Sequence, residues 1–129
     1  MDPFAALVPY LSGVPGVATV HVGLPHDAEM RTLPCIDLQS AGPAARHRSS
    51  AGLGFDTQDI DVDVYVSASD WQRGRASPLA HEVRAHLARF RAGQIVAVEV
   101  TTPQKLPDRN PNIRRMGMTV SVRLPALHL

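Results

Sequence analysis

Apolar and polar positions alternate most regularly between residues 59 and 66 (DIDVDVYV). Because successive side chains of a β-strand point to opposite faces of the sheet, this pattern predicts a strand with one buried face. The other face carries Asp59, Asp61, Asp63 and Tyr65. Carboxylates spaced about 7 Å apart along a strand repel one another, and they are tolerated where water or cations screen them. We therefore expect this face to be solvated.

Shorter runs of β-branched residues predict four further strands. Two precede the alternating segment, at residues 17–22 and 33–39, and two follow it, at residues 95–100 and 116–124. In residues 95–100 the side chains expected to form the strand's apolar set are Ile95, Val96, Val98 and Val100. The last two strands are expected to pair antiparallel across the connection between them.

Apolar residues recur at helical spacing in two segments, each introduced by a polar residue and a proline. Such a pair suits the start of a helix, because the polar side chain accepts from a free backbone N–H and proline lacks that N–H. The first helix is predicted to begin at Asp2-Pro3 and to end at Gly13. The second is predicted to begin at Ser77-Pro78 and to end with Gly93 in the left-handed conformation. Its buried stripe consists of Leu79, Val83, Leu87 and Phe90.

The order of these elements, α-β-β-β-α-β-β, predicts an α+β fold. We expect a single antiparallel-rich sheet of about five strands with both helices packed on one face. The other face and at least one sheet edge would stay uncovered. A chain of 129 residues is expected to form one domain, spanning residues 1–129.

Two connections differ in composition from the rest of the chain. Residues 40–55 (SAGPAARHRSSAGLGF) have no periodicity and exceed the usual length of an unstructured connection. We expect a mobile loop there, either a plain surface loop or a segment that becomes ordered against a partner. Residues 102–112 (TPQKLPDRNPN) contain three prolines, which favour a stiff, extended path.

Charge is divided unevenly along the chain, although its formal net value is +1. Residues 1–70 contain nine acidic residues and three arginines, a net charge of −6. Residues 71–129 contain ten basic and three acidic residues, a net charge of +7. Opposite charges of this kind can attract within one subunit or between neighbouring copies. Lys105 is the only lysine, and the many arginines suit contacts with carboxylates or phosphates, although a GC-rich genome also enriches arginine.

Several classes of function lack their sequence signatures. The chain has no nucleophile elbow, no Gly-rich phosphate loop and no His-Glu zinc helix, so we expect no catalytic residue, metal ligand or cofactor. Six aromatic residues are few for a nucleic-acid binder, which stacks bases on aromatic rings. Cys35 by itself cannot form an internal disulfide, and no apolar run approaches the roughly 18 residues of a membrane span. A soluble, unprocessed protein without membrane contact is expected.

From Leu33 onward, over about three quarters of the chain, the order of features resembles the tail terminator (tail completion) proteins of long-tailed bacteriophages. The resembling segments are LPCIDLQSAG, DIDVDVYV, PLAHEVRAHLARF and VEVTTPQKLPDRNPNIRRMGMTVSVRL. In the last segment a Pro-rich Leu-Pro-Asp stretch precedes an arginine and a final alternating strand. The positions that match are Pro103, Leu106, Pro107, Asp108, Asn110, Pro111, Arg114 and Arg115. Gly42-Pro43 departs from the paired glycines of many relatives.

The resemblance implies a non-enzymatic ring, generally a homohexamer, at the neck of the virion. Such a ring binds the head-proximal end of the tail tube, stops its polymerisation and joins the tail to the head-tail connector. It is assembled in the host cytoplasm, and DNA passes through its lumen without specific binding. The matched residues from Pro103 to Arg115 then become candidates for protein interfaces. Arg46 and Arg48 in the 40–55 loop are expected to contact acidic residues of a neighbouring subunit or of the tube.

The acidic row has two candidate locations in such a ring. If Asp59, Asp61 and Asp63 face the lumen, they keep it from holding DNA, which Lys and Arg contacts to phosphate would do. The outside of the ring is an equal candidate.

Two other functions also stay open: a head-side connector or stopper protein of the same neck, and a small enzyme or nucleic-acid-binding module of a mobile element.

Overall fold

The computed structural model describes residues 2–23, 32–42, 45–48, 54–107 and 112–125, with the backbone alone at residues 45–48 and 54. Within these ranges the chain forms a mixed α+β fold, whose helices and strands follow one another in the order below. They are α1 (Pro3–Ser12), β1 (Thr19–Val22), β2 (Cys35–Ser40), β3 (Ala45–Arg48), β4 (Gly54–Ser67), α2 (Ala68–Gln72), α3 (Ala76–Ala88), β5 (Arg91–Ala92), β6 (Ile95–Val100), β7 (Gln104–Leu106) and β8 (Ile113–Pro125).

The strands form a single sheet that is larger than predicted. Its order is β1-β2-β4-β8-β6-β5, while β3 pairs along β4 and β7 pairs along β8, giving eight strands instead of about five. The pair β1–β2 is parallel, and the other pairs are antiparallel. The three additional strands are short, and two of them lie in segments predicted as loops.

The segment 40–55 is therefore not a loop throughout. Residues 45–48 pair antiparallel with residues 57–54, so they extend the ribbon that β2 and β4 form. The Gly, Ala, Ser and Arg composition of the segment did not predict this strand. The strand forms because its backbone is hydrogen-bonded to the neighbouring strand β4, which requires no periodicity of side chains. The other residues between 43 and 53 lie outside the described part of the chain, and their mobility stays a prediction.

The Pro-rich segment is likewise held against the sheet. Residues 104–106 pair antiparallel with residues 117–115 of β8, and Pro103 just before them is buried. Prolines restrict the unfolded chain, which lowers the entropy lost when such a segment is held in one path. Residues 108–111 lie outside the described residues.

The main core lies between one face of the sheet and the helices α1 and α3. As the alternation predicts, β4 contributes Ile60, Val62, Val64 and Val66 to it, each at most 1% exposed. Helix α1 adds Leu7 and Leu11, which are fully buried. Complete burial of a leucine side chain stabilises a fold by roughly 1.5–3 kcal/mol.

The first helix begins as predicted, because the Asp2 carboxylate accepts a hydrogen bond of 3.0 Å from the Phe4 backbone N–H. Tyr10 then joins the two helices: its hydroxyl donates to the His86 carbonyl at 2.6 Å, and its ring stands edge-on to Phe90 at 5.1 Å between centroids. The described part of the chain contains no helical segment with the length and hydropathy of a bilayer span.

The second helix begins two residues earlier than predicted and ends several residues earlier. The short helix α2, capped by the Ser67 hydroxyl, comes directly before α3. After it α3 begins at Ala76, so Ser77 lies inside the helix and is not its cap. At the other end the Phe90 N–H bonds to the Leu87 carbonyl at 3.1 Å, which turns the chain out of the helix and buries the Phe90 ring. Gly93 does have a positive φ of 62°, but it turns the hairpin between β5 and β6.

The apolar set predicted for residues 95–100 is interrupted by a β-bulge. Ala97 lies opposite Val122 and Glu99 lies opposite Ser121, so Val98 has no partner residue on β8. An inserted residue of this kind leaves the ladder and shifts the side chains that follow it to the other face. Val98 is consequently 53% exposed.

Candidate protein-interface site

The polar residues of the sheet meet on the face opposite the helices. Strands β4 and β8 pair from one end to the other, and their alternate residues lie side by side on this face. The cross-strand pairs are Asp59 with Ser121, Asp61 with Thr119, Asp63 with Gly117, and Tyr65 with Arg115. We call this group of residues the polar face.

Burial increases along the acidic row. Asp59 is exposed and accepts a hydrogen bond from the Ser121 hydroxyl. Asp61 is half-buried and accepts from the Thr119 hydroxyl at 2.9 Å. Asp63 keeps 14% of its side chain exposed, and Tyr65 is 5% exposed beside Cys35 and Ile113. The expectation of a uniformly solvated face is therefore wrong, because a second apolar cluster covers its far end.

Arg115 is the central side chain of this region. Its Nη1 lies 3.3 Å from Asp63 Oδ2, and its Nη2 donates to the Pro107 carbonyl at 2.8 Å. The guanidinium carbon lies 5.9 Å from the centroid of the Tyr65 ring, within the range of a cation–π contact. A single guanidinium thus connects β4, β8 and the Pro-rich segment, which its fork of five donors allows.

Gly117 makes the close packing around this pair sterically feasible. A Cβ atom at this position would lie 2.3 Å from Leu106 Cδ1 and 2.8 Å from Asp63 Oδ1, both shorter than real contacts. The missing side chain therefore admits Leu106 from β7 and the Asp63 carboxylate to the same point of the sheet. The sequence signal was a glycine inside an alternating strand, which often marks a close approach.

A fourth carboxylate, Asp37, belongs to the same cluster. It lies opposite Asp63 on β2, is 1% exposed, and accepts a hydrogen bond of 2.8 Å from the Gln39 amide. Burial raises the pKa of the Asp63 carboxyl above its ordinary value of 3.8. Arg115 opposes that rise, whereas Asp61 and Asp37 add to it. Asp37 is not among the sequence-predicted site residues, because it stands among apolar residues in a short strand.

An open groove of ≈ 490 Å³ lies along the polar face. Hydroxyl, amide and carboxylate oxygens dominate its lining, which is formed by Gln39, Asp61, Asp63, Thr101, Thr102, Gln104, Leu106, Arg115, Gly117, Met118 and Thr119. Among the described residues, no three His, Cys, Asp or Glu side chains are arranged to hold a metal ion.

The structure brings together some of the sequence-predicted site residues and separates others. Leu106, Pro107 and Arg115 meet beside the acidic row, whereas Pro103 is buried and Arg114 lies on the opposite face of β8. Arg114 Nη1 donates to the Ile113 carbonyl at 3.2 Å. Arg46 and Arg48 belong to β3, but their side chains are not described. Asp108 and Asn110 also lie outside the described residues.

Comparison with protein-family models and with curated proteins finds no match for this chain. Among solved structures, its fold is similar to that of a chain in the virion of a native gene transfer agent (GTA) particle, with a TM-score of 0.53. The two sequences are 16% identical, and the structural similarity covers 95% of this chain and 86% of that chain. At this identity the similarity concerns the fold, which is therefore one that occurs in a virion particle.

Proposed function

We propose that this protein is a structural component of a phage-like virion and acts there as the tail terminator. In this role, copies of the chain form a ring, a hexamer by the family resemblance, on the head-proximal end of the tail tube. The ring stops tube polymerisation and gives the head-tail connector a surface to bind. The protein would then be found in the neck of the virion, and it would have no catalytic activity.

The observation that carries this proposal is the similarity in fold to the GTA virion chain, because it extends over nearly the whole length of both chains. A fold by itself does not specify a function. The Pro-rich segment and final strand, on which the resemblance to tail terminators depends, supply the more specific support. In the structure these two segments are joined, since Arg115 of the final strand donates to the Pro107 carbonyl of the Pro-rich segment.

The bonding on the polar face agrees with a structural role. Hydroxyl, amide or guanidinium donors each hold one of the carboxylates Asp37, Asp59, Asp61 and Asp63. Such bonds fix these side chains in place on the face of the sheet.

Within the ring we assign the acidic row to the DNA channel. Asp59 and Asp61 are the accessible members, and Asp63 lies behind them with Arg115. A lumen lined by carboxylates repels phosphate, so DNA passes without being held. Substituting Asp59 and Asp61 by Asn tests this assignment through DNA retention in assembled particles; a structure with these side chains far from the ring axis would exclude it.

A head-side connector or stopper is the second candidate. The observation that favours it is the same fold similarity, since the similar chain is described as part of a whole virion and thus fits either side of the neck. The two candidates differ in which end structure they bind. A terminator binds the tube, whereas a connector binds the head.

Electron microscopy of negatively stained mixtures tests the function directly. The chain is added to polymerising tail-tube protein, and tube lengths are compared with those from tube protein alone. A terminator is expected to give capped tubes that no longer elongate, and native mass measurement gives the number of copies in the cap. Equal tube lengths with and without the chain would reject the terminator, and binding to head particles instead would favour the connector.

A further inference from the structure

We propose that copies of this chain contact each other head to tail through the two opposite edges of the sheet. The β1 edge of one copy lies against the β6 edge of the next, with Val22 and Val98 in the contact. The proposal rests on the ring described above and specifies how its subunits meet. The partner in this contact is a second copy of the same chain.

Two exposed valines mark the two edges. Val22 on β1 is 52% exposed and Val98 on β6 is 53% exposed, and among the described residues they are the large hydrophobic side chains with such exposure. A single exposed valine is ordinary on a protein surface. Here, however, one valine lies near each end of the strand order β1-β2-β4-β8-β6-β5.

The β6 edge presents Val98 because of the bulge. Its neighbours on that edge are already bound: the Ala97 N–H bonds to the Phe90 carbonyl at 3.1 Å, and the Val100 carbonyl accepts from Arg84 Nη2 at 3.3 Å. The two-residue strand β5 covers the start of β6 at Ile95 and Val96. Bulges at edges redirect side chains, and this one leaves Val98 projecting between two occupied positions.

The β1 edge is open in a different way. Within the described ranges β1 pairs with β2 alone, so its outer side offers backbone groups to a neighbour. Soluble proteins usually protect such an edge with charged side chains, prolines or bulges. The four residues of β1 are Thr, Val, His and Val, so the strand contains no proline, lysine, arginine, aspartate or glutamate. An edge of this composition is suited to being covered in an assembly.

Charge supports contact between unlike edges. The described residues 2–23 and 32–40, which include α1, β1 and β2, contain the exposed Asp2, the buried Asp37 and no lysine or arginine. Residues 73–100, which form α3, β5 and β6, include five arginines and two glutamates. Opposite charge favours the pairing of the two different sides, and the excess of arginine disfavours pairing of the β6 side with itself. A contact between two different patches repeats around a closed ring.

Chemical cross-linking with a short bis-maleimide tests this arrangement. Val22→Cys, Val98→Cys and the double variant are prepared, and the only native thiol, Cys35, is fully buried and protected from the reagent. Each reaction is run on the chain by itself and on the chain assembled with tail-tube protein. We expect the double variant to give a ladder of covalent oligomers and a mixture of the single variants to give dimers. Each single variant by itself is expected to stay monomeric.

A matched control places the second thiol elsewhere on the surface. Ala85 is exposed on α3, and Val22→Cys combined with Ala85→Cys is expected to give no ladder. Cross-linking of a single variant with itself would overturn the proposal in favour of symmetric edge pairing. Absence of the ladder would overturn it too. If the unsubstituted chain still caps tubes in that case, only this contact is wrong; a ladder without capping would retain the contact and reject the terminator function.

Discussion

Asp63 and Arg115 are 52 residues apart in the chain, and their side chains meet across β4 and β8 at 3.3 Å between Oδ2 and Nη1. The same guanidinium holds the Pro107 carbonyl at 2.8 Å. Arg115 therefore links the acidic strand to the Pro-rich segment, which the sequence presents as two separate features. A substitution of Asp63 or of Arg115 is therefore expected to alter both the acidic strand and the Pro-rich segment.

Burial of Asp63 should make the stability of the fold depend on pH. Because the folded-state pKa of Asp63 is raised above 3.8, the folded protein binds more protons than the unfolded chain between these two values. The contribution of Asp63 to stability is fully present below pH 3.8 and is lost as the pH rises through the folded-state pKa. Relative to Asp63→Asn, the parent protein is therefore expected to be more stable at low pH than at neutral pH.

Urea unfolding at a series of pH values measures this dependence. The quantity to compare is the difference in the free energy of unfolding between the parent and Asp63→Asn. Asp59→Asn removes a carboxylate from the exposed part of the same strand and separates the effect of burial from a general loss of charge. If the curves of the parent and Asp63→Asn ran parallel at all pH values, the pKa of Asp63 would be the same in the folded protein and in the unfolded chain.

Gly117→Ala is expected to destabilise the protein by about 1–3 kcal/mol, the usual cost of overpacking. The new Cβ would lie 2.3 Å from Leu106 Cδ1, so β7 must shift or detach from β8. The cost should be smaller in a Leu106→Ala background, which denaturant unfolding of the double-mutant cycle measures. Gly13→Ala is the control, since its nearest contact would be an ordinary 3.5 Å. Equal effects at Gly117 and Gly13 would contradict the close approach.

Tyr10→Phe is expected to lower the free energy of unfolding by about 0.5–1.5 kcal/mol, the usual net value of one hydrogen bond. It removes the bond from the Tyr10 hydroxyl to the His86 carbonyl and keeps the ring against Phe90. Tyr10→Leu also removes the aromatic pair and should cost more. Thermal or denaturant unfolding measures both, and an unchanged stability of Tyr10→Phe would mean that this bond does not hold α1 to α3.

Replacing Arg46 and Arg48 together by Ala is expected to weaken tube capping without unfolding the subunit. Both residues are in β3, whose backbone pairs with β4 through hydrogen bonds that the substitution retains. Capping is scored by tube length in negative stain, and circular dichroism checks the fold. Arg73→Ala, which alters an exposed arginine between α2 and α3, is the matched control. Normal capping by the double variant would exclude a role for these two arginines.

Periodicity predicted the parts of the fold whose burial is decided locally. The residues Ile60, Val62, Val64 and Val66 are buried on one face as expected, and the stripe from Val83 to Phe90 packs on the sheet. Helix ends were predicted less well. The position of α3 depends on α2 before it and on the burial of Phe90 after it, and no single cap residue carries that information.

The candidate site was predicted in pieces. Leu106, Pro107 and Arg115 were named from the sequence, and the structure brings them together next to Asp63. Asp37 and Gly117 were missed, because their roles arise from residues that face them on neighbouring strands. Cross-strand register is a long-range property that the spacing of residues within one segment does not record.

The amino-acid sequence by itself determined which faces of the long central strand and of the main helices are apolar, because this follows from the period of the chain within each element. Only the tertiary structure decided that residues 45–48 and 104–106 are strands, since their backbones are ordered by pairing with β4 and β8. It also decided that Asp63 is largely buried while Asp59 stays exposed. These two aspartates of one alternating row differ in exposure because the residues next to them on the neighbouring strands differ.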